Sequence, residues 1–389
     1  MKTSAPTLLD MMRQLIAIPS VSSAHSHLDQ GNRAVLERLA EWLEGLGFAV
    51  EILPLTTHPD KANLIATLGA GPGGLVLAGH TDTVPYDDTR WSHDPFRLTE
   101  ADGRLYGLGT SDMKGFFALA IAAARRFKAG DLRQPLIVLA TADEESSMDG
   151  ARALVRAGRP RARYALIGEP TGLRPIRMHK GVMMERIRLT GRAGHSSDPA
   201  LGNSALEGMQ RVMTELLAWR AELQAQYRHP AFHVPVPTLN LGYIHGGDNP
   251  NRICGECELH IDLRPLPGME LDELRAEMRR RLERLLAGSG LVLDLEPLFG
   301  GVPPFETDAA SAIVRAAERL TGHAAAAVAF GTEAPYLQQL GMETVVLGPG
   351  DIAQAHQPDE YLALDRIQPT VELLTRLIEH FCITPAGGT

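Results

Sequence analysis

The segment LIVLATADEE, residues 136–145, decides how this chain folds. Its first seven residues form a mostly apolar run, and three carboxylates follow at once, on Asp143, Glu144 and Glu145. A short apolar run of this kind is typical of a strand covered on both faces. Two adjacent glutamates are tolerated on an exposed turn because water screens them, but in a cleft each raises the pKa of the other unless a cation lies between them. The rest of the sequence has to distinguish these two cases.

The same pattern recurs on both sides of this segment. Short apolar strands alternate with helical periodicities, which predicts an α/β fold with a largely parallel sheet covered by helices. The first of these helices ends at Gly47, a residue type favoured just after helix C-termini. The predicted elements are helices near 31–47, 113–128, 308–321 and 367–382, and strands at 48–53, 75–79, 136–142, 164–168 and 343–348.

Residues 183–299 follow a different order. Strand, helix, strand, strand, helix and strand patterns succeed one another there, and this β-α-β-β-α-β order is that of ferredoxin-like domains. We therefore predict a discontinuous α/β domain, residues 1–182 and 300–389, into which a compact α+β domain of residues 183–299 is inserted.

The composition favours small-molecule chemistry. The 389 residues carry a net charge of −9 without a basic block, so neither nucleic acid nor a membrane surface is an expected partner. The apolar residues from Leu8 to Ile16 lie on one helical face and are interrupted by charges, so they do not form a secretory signal, and no apolar run is long enough to span a bilayer. Three cysteines are too few for a disulfide framework, which predicts a cytoplasmic location.

Residues 69–74, GAGPGG, match the glycine spacing of a dinucleotide-binding turn. In such turns the glycines open a helix, whereas here a strand pattern follows and Pro72 suits a turn. We predict a tight connection between two strands, and a nucleotide-binding enzyme is the weakest alternative for this chain.

Polar residues stand where several predicted strands end. In open α/β sheets, ligands bind beyond the carboxyl ends of the strands, and histidine and carboxylate ligands suit zinc, cobalt or manganese. Taken singly, each residue has an ordinary alternative as a helix N-cap, a hydrogen-bonded histidine or a turn residue. Their conjunction favours a metal site. The residues are His80, Asp143–Glu145, Glu169 and His356, with Asp112 in a turn just before the helix at 113–128.

Six segments carry a family resemblance: GHTDTVP (79–85), GLGTSDMKGF (107–116), TADEE (141–145), IGEPT (167–171), GRAGHSS (191–197) and AHQPDEY (355–361). In combination they resemble the di-zinc amidohydrolase and exopeptidase family that includes acetylornithine deacetylase, succinyl-diaminopimelate desuccinylase, aminoacylase and glutamate carboxypeptidase. The resemblance covers nearly the whole chain. Two further segments are most similar to the acetylornithine deacetylase branch, GTEAPYLQQLG (331–341) and VLGPGDIAQAHQPDEYL (346–362).

The resemblance implies two bound divalent metal ions, most simply zinc, with cobalt or manganese as alternatives. One ion would be held by His80, Asp112 and Glu169. The other would be held by Asp112, Glu145 and His356. Asp112 would bridge the two ions, since each of its carboxylate oxygens can face one of them.

The resemblance also implies catalytic roles. Asp82 would orient His80 through the other ring nitrogen, and Glu144 would be the general base that takes a proton from the attacking water and passes it to the leaving amine. His195, at the end of the first strand of the inserted domain, would reach the active site of the partner subunit and stabilise the tetrahedral intermediate. That role implies a homodimer and a lid that closes. Without the flanking motifs, Asp82 would be read as a turn residue and His195 as a surface histidine.

Three residues match positions that bind the substrate. Asn251 and Arg264 would bind the carboxylate of the substrate. A guanidinium suits this role because it binds a carboxylate through two parallel hydrogen bonds. By itself Arg264 would be interpreted as a charge on the rim. Glu333 stands where relatives that take other substrates differ, and our hypothesis is that it or a neighbour receives the substrate's ammonium group.

The activity that the resemblance implies is metal-dependent hydrolysis of N2-acetyl-L-ornithine to L-ornithine and acetate, a step of arginine biosynthesis. The alternatives in the same class are deacylation of acetylcitrulline or succinyl-diaminopimelate, and cleavage of a dipeptide. An alternative from another class is a non-catalytic metal-binding or partner-binding protein on the same scaffold. Glu144 argues against it, because the family pattern does not use this residue primarily as a ligand.

Overall fold

The computed structural model describes residues 6–383, which form two compact units. The predicted domain ends at 1–5 and 384–389 lie outside the described residues. The observed second unit begins five residues before the predicted insertion at 183, and it also takes in a short later segment. The first unit comprises the described residues up to Arg177, Thr307–Ala326 and the described residues from Thr332; the second comprises Met178–Glu306 and Ala327–Gly331.

The helix predicted at 31–47 ends close to its expected position. Helix α2 stops within two residues of the predicted Gly47, which has a positive φ. The described helices are α1 (Leu8–Ile16), α2 (Arg33–Gly45), α3 (Lys114–Ala124), α4 (Asp149–Ala157), α5 (Ala205–Gln226), α6 (Leu271–Leu286), α7 (Ala312–Thr321), α8 (Ala334–Gln339) and α9 (Ile367–Ile378), which continues into a π-helical turn, Glu379–Ile383.

The strands are short. They are β1 (Ala49–Pro54), β2 (Ala62–Leu68), β3 (Leu75–His80), β4 (Thr99–Ala101), β5 (Arg104–Tyr106), β6 (Leu136–Thr141), β7 (Tyr164–Ile167), β8 (Ile176–His179), β9 (Met183–Thr190), β10 (Gly194–His195), β11 (Thr238–Gly246), β12 (Arg252–Ile253), β13 (Glu256–Arg264), β14 (Val292–Pro297), β15 (Phe305–Glu306), β16 (Ala326–Val328), β17 (Glu343–Val346) and β18 (Tyr361–Ala363).

The central sheet of the first unit runs in the order β1-β2-β6-β3-β7-β17. The four strands β6, β3, β7 and β17 are mutually parallel, as predicted for the apolar runs. Every residue of β3, β6 and β7 is buried, which explains why these strands lack an alternating polar face. Their carboxyl ends therefore meet along one edge of the sheet.

The sheet is antiparallel at its β1 side. Strand β2 pairs antiparallel with both β1 and β6, and the sequence reading had not singled it out as an element of its own. The prediction of a largely parallel sheet is thus confirmed for the centre and does not extend to this flank. A short connection of a few residues can join β1 to β2 only if the two strands run in opposite directions.

Helix α3 lies in the core of the first unit. All of its residues are buried, and it packs against α1, α9 and β3. A helix that is apolar all round, such as KGFFALAIAAA, is stable only in such a position. Its first residue follows Asp112 by two positions, so the core fixes the place where that carboxylate enters the site.

The second unit contains the predicted β-α-β-β-α-β order. Four of its strands form an antiparallel sheet in the order β11-β13-β9-β14, the strand arrangement of a ferredoxin-like fold. Strand β9 alternates buried and half-buried residues, and α5 and α6 contribute their apolar faces to the same core. Its function as a lid remains a prediction.

The glycines at 69–74 connect β2 to β3 and so precede a strand, as predicted, at the amino end of β3. A β-carbon at Gly74 would lie 2.1 Å from the Pro135 carbonyl oxygen, which leaves no room for a side chain. Cys254, Cys257 and Cys382 are free and buried. In the part of the chain that the structure describes, no helix is long and apolar enough to cross a membrane.

Candidate metal centre

The polar residues of the predicted site lie at the carboxyl ends of adjacent parallel strands. His80 is the last residue of β3, Asp143–Glu145 begin two residues after β6 ends, and Glu169 lies two residues beyond β7. His80 is paired with Thr141 of β6 in the strand register. The strand order therefore brings together groups that are far apart in the sequence.

Asp112 lies between two histidines. Its Oδ1 atom is 3.0 Å from Nε2 of His80, and its Oδ2 atom is 3.5 Å from Nε2 of His356. Each carboxylate oxygen thus faces one histidine. This is the geometry that a bridging carboxylate requires.

Glu169 lies on the His80 side of this arrangement. Its Oε1 atom is 3.9 Å from Nε2 of His80 and has no hydrogen-bond partner among the described residues, although the side chain is buried. Burial raises the pKa of Glu169 well above its ordinary value, and the charge of Asp112 raises it further. A buried carboxylate oxygen without a donor is costly unless a cation compensates it.

Glu145 lies on the His356 side. Nε2 of His356 is 3.0 Å from Oε2 of Glu145, and this hydrogen bond is the main cause that raises the pKa of His356 to about 9. Burial raises the pKa of Glu145, with the charge of Asp112 acting in the same direction. The side chain of His356 is 54% exposed, so this side of the cluster opens to solvent.

The orientation of His80 differs in detail from the prediction. Its Nδ1 atom lies 2.9 Å from the backbone carbonyl oxygen of Asp82 and 3.7 Å from the nearer carboxylate oxygen of that residue. The carboxylate of Asp82 turns instead toward the turn after β6, where it accepts the backbone N–H of Glu145 at 3.0 Å. Asp82 therefore orients His80 through its main chain and holds Glu145 through its side chain.

Glu144 is close to the same cluster. Ligand atoms of His80, Glu144 and Glu169 lie within 4.8 Å of one another, as do those of His80, Asp112 and Glu145. Burial raises the pKa of Glu144 well above its ordinary value, and the neighbouring charge of Glu169 adds to this effect. The two adjacent glutamates, Glu144 and Glu145, are thus half-buried beside His80 and the other candidate ligands and do not lie on an exposed turn.

The turn that carries these glutamates is held by Lys61, which was not among the predicted site residues. Its Nζ atom donates to Oδ1 of Asp143 and, at 2.7 Å, to Oδ1 of Asp29, and the Ser22 hydroxyl also donates to Asp143 at 2.8 Å. Asp143 has a φ of 60°, a left-handed conformation that non-glycine residues adopt only with support from their surroundings. A lone lysine just before an apolar run, in DKANLIATL, was the available signal.

Glu333 lies at the N-cap position of α8 and is buried. Its Oε2 atom accepts the hydroxyl of Thr141, at the end of β6, at 2.9 Å, whereas Oε1 has no partner among the described residues. Burial raises the pKa of Glu333 to about 7, partly opposed by the Thr141 hydrogen bond and by the charge of His80. The structure thus places this carboxyl group beside the cluster, with one oxygen uncommitted.

The other three predicted residues lie in the second unit. His195 and Asn251 are close together, since the backbone N–H of Ser196 donates to the Asn251 carbonyl at 3.0 Å. Arg264 ends β13, and its Nε atom is 2.9 Å from both carboxylate oxygens of Asp262. Their roles toward the cluster of the first unit remain predictions.

The residues of the cluster fit divalent metal ions. Within 6–383, the donor set is imidazole nitrogen and carboxylate oxygen, with no cysteine among the candidate ligand groups. Such donors suit zinc and related ions. The surplus of carboxylates and the unpaired oxygen of Glu169 are explained if cations neutralise them.

Residues 76–380 match peptidase family M20/M25/M40, and the chain belongs to this family. Its relatives include the acetylornithine deacetylase of Edwardsiella ictaluri (strain 93-146), which is 51% identical over 382 residues, covering 98% of this chain and 100% of the relative. The acetylornithine deacetylase of Pasteurella multocida (strain Pm70) is 50% identical over 377 residues, covering 97% of this chain and 98% of the relative. The predicted membership is thereby confirmed, and the chain is a metal-dependent hydrolase.

Solved structures of more distant proteins share the fold. The M20 family metallo-carboxypeptidase Sso-CP2 of Sulfolobus solfataricus superposes with a TM-score of 0.75 at 16% identity, covering 96% of this chain and 99% of that one. A dinuclear metal binding peptidase of the M20 family from Bacillus subtilis gives a TM-score of 0.66 at 18% identity, covering 96% and 98%. At these identities the similarity concerns the fold alone.

Proposed function

We propose that the chain hydrolyses the acetyl amide of N2-acetyl-L-ornithine to L-ornithine and acetate, a step of arginine biosynthesis. The observation that carries the choice of substrate is its identity of about one half, over nearly the whole chain, with proteins named acetylornithine deacetylase. The reaction class is supported by a half-buried carboxyl group, Glu144, beside a set of histidine and carboxylate ligands. A cytoplasmic location fits the three free thiols, and cell fractionation would test it.

Two divalent ions, most simply zinc, fit the ligand geometry. When bound, such ions lower the pKa of a shared water and polarise the amide carbonyl. His80, Asp112 and Glu169 would hold one of them, and Asp112, Glu145 and His356 the other. Asp82 fixes the ring of His80 and the backbone of Glu145, so it keeps one ligand from each set in place.

Glu144 acts as the general base. It takes a proton from the attacking water and delivers it to the nitrogen of the leaving ornithine, so that the amide bond breaks as the acetate forms. Burial raises the pKa of Glu144 well above its ordinary value, which favours its holding the proton between the transfer from water and the return to the amine. The adjacent Glu145 is engaged with His356 and leaves this task to Glu144.

The second unit supplies the remaining contacts in this proposal. Asn251 and Arg264 bind the α-carboxylate of the substrate, and His195 stabilises the oxyanion in the active site of the partner subunit. The nearness of His195 to Asn251 supports a shared role on one surface. This mechanism requires a homodimer, and a purely monomeric chain in sedimentation velocity would contradict it.

A substrate panel on metal-reconstituted protein tests the proposed function. We expect kcat/KM for N2-acetyl-L-ornithine to exceed those for acetylcitrulline, succinyl-diaminopimelate and dipeptides by about tenfold or more, since polar recognition discriminates strongly. Removing metal with a chelator should abolish hydrolysis, and adding Zn²⁺ or Co²⁺ should restore it. Preferred turnover of another member of the panel would assign a different substrate, and full activity without metal would overturn the mechanism.

Glu333 is proposed to receive the side-chain ammonium of the substrate. Its Oε1 atom is uncommitted, and its Oε2 atom is fixed by Thr141, so the group is placed to bind a cation without rearrangement. Glu333→Gln should lower kcat/KM for acetylornithine by about 10–100-fold, the effect of losing a charged hydrogen bond, while kcat/KM for N-acetylmethionine changes little.

The matched control is Glu343→Gln. This glutamate stands at the amino end of β17 and accepts the hydroxyl of Ser311, so its replacement should leave both substrates unaffected. If Glu333→Gln kept its preference for acetylornithine over the uncharged substrate, the ammonium would have to be bound elsewhere.

A further inference from the structure

We infer that Glu360 is a positioning residue that locks the turn carrying Asp112 to the segment carrying His356. It thereby sets the distance between two ligands of the same proposed metal ion. Its effect on catalysis rests on the proposed function. The contacts of Glu360 within the chain do not depend on that proposal.

The carboxyl group of Glu360 accepts three backbone N–H groups of one turn. Its Oε1 atom lies 2.8 Å from the nitrogen of Ser111 and 2.9 Å from that of Asp112, and its Oε2 atom lies 3.1 Å from the nitrogen of Gly109. The residue is only 1% exposed, so water cannot readily replace it as the acceptor. Three buried donors therefore depend on a single side chain.

Among the described residues, these three N–H groups have no acceptor besides Glu360. Helix α3 begins at Lys114, and its N-cap residue, Met113, provides no side-chain acceptor. Gly109 adopts a φ of +85°, and a β-carbon there would lie 2.8 Å from Cε of Lys114, so the turn is both unusual in conformation and tightly enclosed. Unsatisfied buried N–H groups cost free energy, and Glu360 removes that cost only while the turn keeps this shape.

The backbone of Glu360 is fixed as well. Its carbonyl oxygen accepts the N–H of Gly107 at 3.0 Å, and the next residue, Tyr361, pairs with Tyr106 in the register of β18 and β5. His356 lies only four residues before Glu360. The side chain and main chain of Glu360 thus hold the segment that contains His356 against the turn that contains Asp112. Asp112 and Glu360 are 248 residues apart in the sequence.

The test uses Glu360→Gln in the full chain after metal removal. Glutamine keeps one acceptor but directs an NH₂ group at a backbone donor, so part of the turn must move. We expect the affinity for Zn²⁺, measured by competition with a chromophoric chelator, to fall by about 10–100-fold, as for other residues that support metal ligands. Hydrogen exchange at the amides of Gly109, Ser111 and Asp112 should become faster. Neither measurement involves a substrate, so a wrong assignment of the substrate would leave both results unchanged.

Two control variants test whether the loss of Zn²⁺ affinity is specific to Glu360. Glu318→Gln removes a carboxylate that accepts one backbone N–H, that of Ala325, away from the cluster, and it should bind Zn²⁺ as the unmodified chain does. Asp359→Asn alters the neighbouring residue, which accepts backbone N–H groups of Ser92 and His93 and not those of the Asp112 turn. Equal losses of affinity for Asp359→Asn and Glu360→Gln would overturn the specific role of Glu360.

Unchanged Zn²⁺ affinity or unchanged exchange in Glu360→Gln would also overturn the inference. Should that variant not fold, hydrogen exchange in the unmodified chain still tests the inference. The amides of Ser111 and Asp112 should then exchange as slowly as those of β3, and rapid exchange at these two amides would contradict the inference.

Discussion

Glu144→Gln should lower kcat by about 10²–10⁴-fold, the usual contribution of a general base, and leave the content of bound metal largely unchanged. Glutamine has nearly the same shape as glutamate but cannot accept and return a proton. Ligand atoms of Glu144 lie near His80 and Glu169, so the side chain is at the site of reaction, whereas the contact with His356 is made by Glu145. Steady-state kinetics together with metal analysis by mass spectrometry would check both parts.

Glu145→Gln is the matched control for this prediction. It makes the same replacement at the neighbouring residue, an amide nitrogen for one carboxylate oxygen. We nevertheless expect it to weaken metal binding, because Glu145 is the carboxylate that faces His356 at 3.0 Å. The two variants should therefore differ in metal content although both lose activity. A Glu144→Gln variant with full turnover would refute the proposed mechanism.

Lys61→Met should destabilise the first unit by about 3–5 kcal/mol, the cost of leaving a buried charge without its partner. Lys61 is buried and bonded to both Asp143 and Asp29, and methionine fills the same space without the charge. The free energy of unfolding should be measured with urea in the presence of a chelator, so that bound metal does not contribute to the stability. Because Asp143 precedes Glu144 directly, activity should fall as well.

Two comparisons separate this buried pair from ordinary ion pairs. Arg38→Met removes the exposed bridge to Glu41 on α2 and should cost less than about 1 kcal/mol. The double variant Lys61→Met with Asp143→Asn should recover part of the lost stability, since the uncompensated charge is gone. If Lys61→Met were no more destabilising than Arg38→Met, the role assigned to Lys61 would be wrong.

The pH dependence of the Lys61 contribution follows from the direction of its shift. Burial lowers the pKa of Lys61, but the hydrogen bonds to Asp143 and Asp29 outweigh it and raise the pKa above the ordinary 10.5. The folded state therefore holds this proton more tightly than the unfolded state does. Its stabilising effect is complete below pH 10.5 and is lost as the pH rises through the folded-state pKa. The free energy of unfolding should fall more steeply in that range for the unmodified chain than for Lys61→Met.

The sequence predicted those parts of the fold that local patterns encode. The apolar runs at β3, β6 and β7 are strands because each is short and buried along its whole length. The residues that end them, His80, Glu145 and Glu169 among them, were identified because polar groups stand out against such runs. The resemblance then supplied roles that no spacing could give.

The sequence was less informative where the partners of a side chain decide its function. Lys61 is 82 residues from Asp143, and Glu360 is 248 residues from Asp112, so no local periodicity connects them. The same holds for the carboxylate of Asp82, which accepts the backbone N–H of Glu145, 63 residues further along the chain. Hydrogen-bond partners at these separations depend on the path of the whole chain.

The sequence by itself determined the strands, the helices between them and the kind of ligand atoms at the strand ends, because hydrophobic periodicity and residue chemistry are local properties. Only the tertiary structure decided that β6, β3, β7 and β17 lie side by side, so that Asp112 comes to lie between His80 and His356. It also decided that Glu144 and Glu145 are half-buried beside these ligands. The physical reason is that the pKa of a carboxyl group and its access to a cation depend on burial and on neighbouring charges, which strand order and packing set together.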